Sequence, residues 1–225
     1  MWGGVVSAAG TDCITKRSGR RAGWQPASYA IMGSGAGAGA AGAVGRERCT
    51  AEECEQIAAA GVFAEDDRVE LLEGEIVEMS PIGPQHSACV SRLNRLFQAR
   101  VGASVIVRVQ DPIRLSAYSA PQPDVALVQL RDDFYAGSHP EPEDVLLLVE
   151  VAESSLNYDR DLKLPLYARA GIAEVWLVTL LPQVIEVYSA PGESDYAERR
   201  EARRGGSVTA RNVPGLVLTV ADILG

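Results

Sequence analysis

Glu150 stands inside a run of aliphatic residues: Val145, Leu146, Leu147, Leu148, Val149 and Val151. A carboxylate there wants a partner, a proton or a metal ion, because burying it charged and unpaired is costly. Asp124 follows Pro123 at the entry to a second apolar run, PQPDVALV at 121–128. Beyond Glu150, Asp159, Lys163 and Tyr167 are spaced four apart and so share one face of a helix. Carboxylates at strand ends with a lysine on the next helix are the parts of a hydrolytic metal site. Hard cations take oxygen ligands, and an ammonium alongside stabilises developing negative charge.

Each residue also has a plainer role. Asp after Pro is ordinary turn chemistry. Glu150 could answer an arginine in a structural ion pair, and Lys163 could pair with Asp159 on an exposed face. Glu70 could be an outward-facing strand residue. His86 sits where a helix starts, either facing a cleft or simply exposed, and Tyr167 reads as packing.

The segment Val145 to Val178 must position most of these groups. Its aliphatic opening suits a strand buried on both faces, a polar loop leads into the helix, and Val175 to Val178 forms a second strand. A right-handed crossover would lay the two strands parallel. Upstream, Thr50 is an N-cap for AEECEQIAAAG, with acids in the first turn and Gly61 as the stop. Arg68 to Met79 alternates around Glu73-Gly74 and reads as a β-hairpin holding Glu70. Gln85 to Val101 carries Cys89, Val90, Leu93, Leu96 and Phe97 at helical spacing, with Arg92, Arg95 and Arg100 outward. Ser104 to Leu115 reads as a long strand or bent pair, Pro112 marking an edge or bulge. Val184 to Ser189 and Ser207 to Val213 add strands, and VPGLVLTVADIL a short closing element. The order predicts an α/β fold with a mixed sheet.

At 225 residues the chain suits one domain with appendages. Residues 1–48 are rich in Gly, Ala, Ser and Arg and read as a disordered basic tail, leaving 49–225 as the domain. Met32 heads the Gly/Ala tract and is a candidate start, which would leave 1–31 untranslated. The GAGAAG at Gly37 to Gly42 matches GxGxxG, but no strand precedes it, so no nucleotide cofactor is expected. The formal charge is −9, with the tail at +4 and the remainder at −13. That acidity counts against a broad grip on nucleic acid and leaves room only for a local basic patch. Four scattered cysteines show no framework spacing and two histidines make a His-rich zinc site improbable. No run is long enough to span a membrane and no signal-type core follows the basic start, so a cytoplasmic location is expected.

VELLEGEIVEMSP, QPDVALV, LLLVEVAESSLNYDRDLKLPLYARAGIAEVWLV and VPGLVLTVADIL together resemble the bacterial Uma-type family of restriction-endonuclease-like proteins, in the PD-(D/E)XK nuclease superfamily. The resemblance covers about Thr50 to Gly225. It implies a restriction-endonuclease-like core, a mixed β-sheet flanked by helices, and hydrolysis of DNA phosphodiester bonds with Mg²⁺ or Mn²⁺. Asp124 matches the superfamily's Asp after Pro, and Glu150 the acid on the next strand. The expected lysine two residues on is Ala152 here; Lys163, on the following helix, matches its migrated position. Glu70 matches an additional acid in the hairpin motif. The resemblance thus implies catalytic residues Glu70, Asp124, Glu150 and Lys163. Metal ligands would be Asp124, Glu150, the Val151 carbonyl and Glu70. Thr179 departs from the Asp that relatives often carry there. A homodimer is expected, since two DNA strands need two sites. RNA or a small phosphoester is another substrate reading, and a non-catalytic protein-binding module on the same fold is the rival function.

Overall fold

The computed structural model describes residues 48–63, 67–153 and 155–225, with three short strands before them: β1 (Thr11–Cys13), β2 (Ser28–Tyr29) and β3 (Ile31–Gly33). The tail, the GAGAAG tract and the alternative start otherwise lie outside the described residues. The chain divides into two compact units, one of residues 1–79 with Ser116–Ala120, the other of Ser80–Leu115 with Pro121–Gly225.

In the first unit, helix α1 (Ala51–Ala59) begins as its sequence dictates. The Glu53 N–H donates to Thr50 Oγ1 at 3.2 Å, and the Thr50 N–H donates to Glu53 Oε2 at 2.8 Å, a reciprocal cap that satisfies two otherwise orphaned donors. Strands β4 (Val69–Leu72) and β5 (Glu75–Glu78) pair antiparallel around Glu73 (φ 51°) and Gly74 (φ 84°). Positive φ at both central residues matches the twist of a tight hairpin. Leu71 and Ile76 bury against Cys49 and Ala51. Glu70 lies opposite Val77, and its side chain is buried rather than outward-facing.

The second unit is a six-stranded sheet. It comprises β6 (Val105–Val109), β7 (Val125–Gln129), β8 (Val145–Ala152), β9 (Glu174–Thr179), β10 (Val184–Pro191) and β11 (Tyr196–Ala202). They are ordered β11-β10-β9-β8-β7-β6, and β8–β9 is the one parallel junction in this sheet. Strand β6 stops at Val109, shorter than the expected 104–115 strand, because Gln110 turns to φ 56° ahead of Pro112. Small strands β12 (Ser207–Thr209) and β13 (Val217–Thr219) pair antiparallel.

Side-chain alternation along β8 builds two cores. Leu147, Val149 and Val151 face helix α2 (Pro84–Arg100), which buries Cys89, Val90, Leu93 and Phe97, and the closing helix α5 (Val220–Leu224). Leu148 and Ala152 face the opposite side, where Leu164, Tyr167 and Ala168 cover them. Glu150 shares that second parity. The β8–β9 crossover is a composite helix: α3 (Leu156–Tyr158), a π-turn over Asp159–Lys163, and α4 (Leu164–Arg169). In the π-turn the Leu164 N–H reaches back to the Asp159 carbonyl. Pro165 supplies the physical reason. Within a regular α-helix its ring would crowd the carbonyl four residues earlier, and a widened turn relieves that clash. Among the described residues, no helix is long and apolar enough to cross a membrane.

Candidate active site

Strands β7 and β8 pair with Val125 opposite Val149, so Asp124 and Glu150 meet one step beyond, where the ladder between these two strands ends. Each carboxylate holds a backbone N–H of the other strand. Val151 N donates to Asp124 Oδ2 at 2.8 Å, and Asp124 N donates to Glu150 Oε2 at 3.4 Å. Asp124 Oδ1 is 2.8 Å from His86 Nε2, on the first turn of α2, and accepts from Gln110 Nε2 at 3.1 Å. From the other side the crossover helix supplies two donors to one oxygen: Lys163 Nζ at 3.0 Å and the Tyr167 hydroxyl at 2.6 Å, both on Glu150 Oε1. Asp159 accepts from the Ser155 hydroxyl at 2.6 Å. Lys163 and Glu150 are each only 3% exposed, which decides against a solvated surface pair.

The same surroundings push the two carboxyls apart. Burial alone would raise Asp124. The His86 hydrogen bond and charge, the Val151 N–H and the Gln110 amide outweigh it and hold Asp124 below its ordinary value. Glu150 goes the other way, up to about 8. Burial drives it, the negative charges of Asp159 and Asp124 add to it, and Lys163 and the Tyr167 hydroxyl only partly compensate.

A pH dependence follows. The unfolded chain releases the Glu150 proton near 4.5, whereas the folded, metal-free protein keeps it to about 8. The native state therefore binds more protons in that window, and stability contributed by Glu150 falls as pH rises through it. Urea midpoints in chelator between pH 5 and 8 should decline, and Glu150→Gln should flatten the decline. An identical slope in that variant would assign it to other groups.

A family model described as "Uma2: Putative restriction endonuclease" matches residues 51–221. The chain belongs to the Uma2 family. No curated protein matches it. Among solved structures, a putative nuclease belonging to DUF820 from Anabaena variabilis superposes with a TM-score of 0.60 at 14% identity, over 78% of this chain and 97% of that one. At that identity the likeness establishes a shared fold.

On this Uma2 fold, three of the residues singled out by sequence, Asp124, Glu150 and Lys163, come together. Glu70 belongs to the hairpin unit. The Val151 N–H is engaged with Asp124. Glu150 is answered by a lysine, not an arginine. Tyr167 is core, as expected, and also a donor to the site. His86 faces Asp124, the less plain of its two readings. Gln110 has no motif or spacing in the sequence to mark it. The signal lay in Pro112, which marked a break in that strand without showing that the break would aim Gln110 inward. Arg199 and Arg203 are ion-paired with Glu186 and Glu201, and Arg204 donates to Gln183 and the Gly225 carbonyl, so these three arginines are engaged elsewhere than at these carboxylates. A cleft of about 270 Å³ opens beside the first turns of α2, lined by Gln85, Ala88, Arg92 and Gln183. A larger one of about 550 Å³, bordered by Val145 and Leu146, lies at the other end of β8 from Glu150.

Proposed function

We propose that the chain is a divalent-metal-dependent endonuclease that hydrolyses DNA phosphodiester bonds, acting in the cytoplasm as a homodimer with one site for each strand. The observation that carries this reading is the juxtaposition of Asp124, Glu150 and the buried Lys163 at the end of β7 and β8. The family description and the nuclease fold support it.

The donor set fits Mg²⁺ or Mn²⁺. Two adjacent carboxylates offer hard anionic oxygens, and Glu150 is buried strongly enough to favour a proton when no cation neutralises it. Asp124 and Glu150 would be the ligands, with the Val151 carbonyl and Glu70 as the further oxygens implied by the family pattern. Bound there, the ion would polarise the scissile phosphate and lower the pKa of a water. The chain's own residues have separate tasks. Lys163 holds positive charge beside Glu150, where it can stabilise the charge that develops on the phosphate oxygens. His86 and Gln110 fix the Asp124 carboxylate. The hydrophobic faces of β8 keep bulk water from the buried side of Glu150.

A non-catalytic binding module on the same fold draws on a different observation. Among the described residues, no three His, Cys, Asp or Glu side chains form a ready-made metal cage. Mg²⁺ does not require one, since it commonly keeps several waters and takes one or two carboxylates plus substrate phosphates. The acidic body, −13 outside the first 48 residues, fits this module better than it fits DNA. Incubating supercoiled plasmid and an RNA of matched length with the purified chain separates the readings. Nicking of DNA in Mg²⁺ or Mn²⁺ that stops on chelation is expected. Absence of cleavage in either metal would leave the binding module, and preference for RNA would change the substrate.

A further inference from the structure

Resting on the metal reading above, we propose that Tyr167 is a positioning residue of this centre: together with Lys163 it holds Glu150 Oε1, so that Oε2 is the oxygen presented beside Asp124 to the cation. A carboxylate has two oxygens and can rotate between them. Here the two are treated unequally. Oε1 accepts two short bonds, from Lys163 Nζ at 3.0 Å and the Tyr167 hydroxyl at 2.6 Å, whereas Oε2 accepts, among the described residues, one long bond from the Asp124 N–H at 3.4 Å. Oε2 therefore keeps lone-pair capacity on the Asp124 side, and Oε1 does not.

Position and chemistry both suit Tyr167 to the task. Its ring is fully buried between Leu164, Ala168 and the sheet, so the hydroxyl is carried on a rigid body with little rotamer freedom. Being neutral, it aims the carboxylate without cancelling the charge that attracts a cation. Lys163 alone would leave the group free to swing, because an ammonium is a compact point charge that does not specify which oxygen it meets. The π-turn ends at Lys163 and α4 carries Tyr167 one turn later, so the two donors reach Glu150 from successive turns of one element. Removing a hydrogen-bonding group behind a metal ligand commonly weakens the metal by about 10–100-fold.

The test is Mn²⁺ and Mg²⁺ binding by titration calorimetry on the full chain, comparing wild type, Tyr167→Phe and Glu150→Gln. Tyr167→Phe keeps the ring and loses only the hydroxyl, and circular dichroism reports whether the fold is retained. Wild-type binding weakened about tenfold or more in Tyr167→Phe, and abolished in Glu150→Gln, is the expected result. A difference infrared spectrum of the Mn²⁺-loaded protein should also show the Glu150 carboxylate band moving in Tyr167→Phe, which a purely packing role would leave in place. Equal affinity in wild type and Tyr167→Phe, with an unmoved band, would overturn the role of Tyr167 and leave the metal site standing. No binding by wild type would sink the metal site itself, and the role of Tyr167 with it.

Discussion

On the endonuclease reading proposed above, Asp124→Ala and Lys163→Met will each strip the protein of DNA cleavage, the first by about 10³-fold if the several kcal/mol that a catalytic metal supplies is lost, the second by about 10²–10³-fold, as for removal of one preorganised electrostatic group. The two differ in what they do to the fold. Alanine at 124 removes the carboxylate oxygens that His86, Gln110 and the Val151 N–H bond to, so Asp124→Asn, which keeps the shape, is the necessary companion. Lys163→Met leaves Glu150 buried beside two other carboxylates. Stranding such a charge costs about 3–5 kcal/mol. Glu150 can avoid most of that cost by taking up a proton, which its rise to about 8 already favours. The variant should therefore be close to wild type in urea at pH 6 and markedly weaker at pH 9. Activity assays belong at the lower pH, where both chains are folded. Undiminished cleavage by Asp124→Ala would mean a contaminating nuclease, and undiminished cleavage by a folded Lys163→Met would remove the lysine from the mechanism.

Trp176→Ala will cost about 3–5 kcal/mol, the range for deleting a large buried aromatic. Trp176 is fully buried on β9, with its ring centroid 6.2 Å from that of Phe97 on α2. It therefore joins the central strand to the helix that carries His86. Its Nε1 donates to Glu174 Oε1 at 2.6 Å, so the variant also takes a donor from a buried carboxylate that the Arg211 N–H holds at its other oxygen. A fall of roughly 10 °C in Tm is expected for a unit of this size. Trp176→Phe, which keeps most of the apolar volume, should recover more than half of it. A loss under about 1 kcal/mol for the alanine variant would mean that this face of the sheet relaxes around the gap instead of resisting it.

Much of this architecture was legible because local chemistry and tertiary packing agree. Thr50 with Glu53, the Glu73-Gly74 turn, the apolar positions of α2 and the aliphatic pair of strands around the crossover each announce one structure and form it. The failures occur where one backbone torsion redirects a side chain. Four-residue spacing puts Asp159, Lys163 and Tyr167 on one face, and Lys163 and Tyr167 do meet on Glu150, but the π-turn over Asp159–Lys163 ahead of Pro165 is something no periodicity reveals. Strand β6 ended early because Gln110 enters the left-handed region, and that torsion is what brings its amide to Asp124. The depth of Lys163 was equally hidden. Its partner lies thirteen positions upstream on another element, beyond the reach of any helix-spacing rule.

The crossed pair of bonds between Asp124, Val151 and Glu150 has an evolutionary consequence. Where the backbone ladder of β7 and β8 runs out, these carboxylates stitch the strand ends together. The two acids thus serve the shape of the molecule whether or not any phosphate is ever cut. A relative without hydrolytic activity would still be held to both acids, and could lose its lysine at little cost only where Glu150 keeps a proton. Retained carboxylates are therefore poor witnesses to activity in this lineage, and the amine is the residue to interrogate.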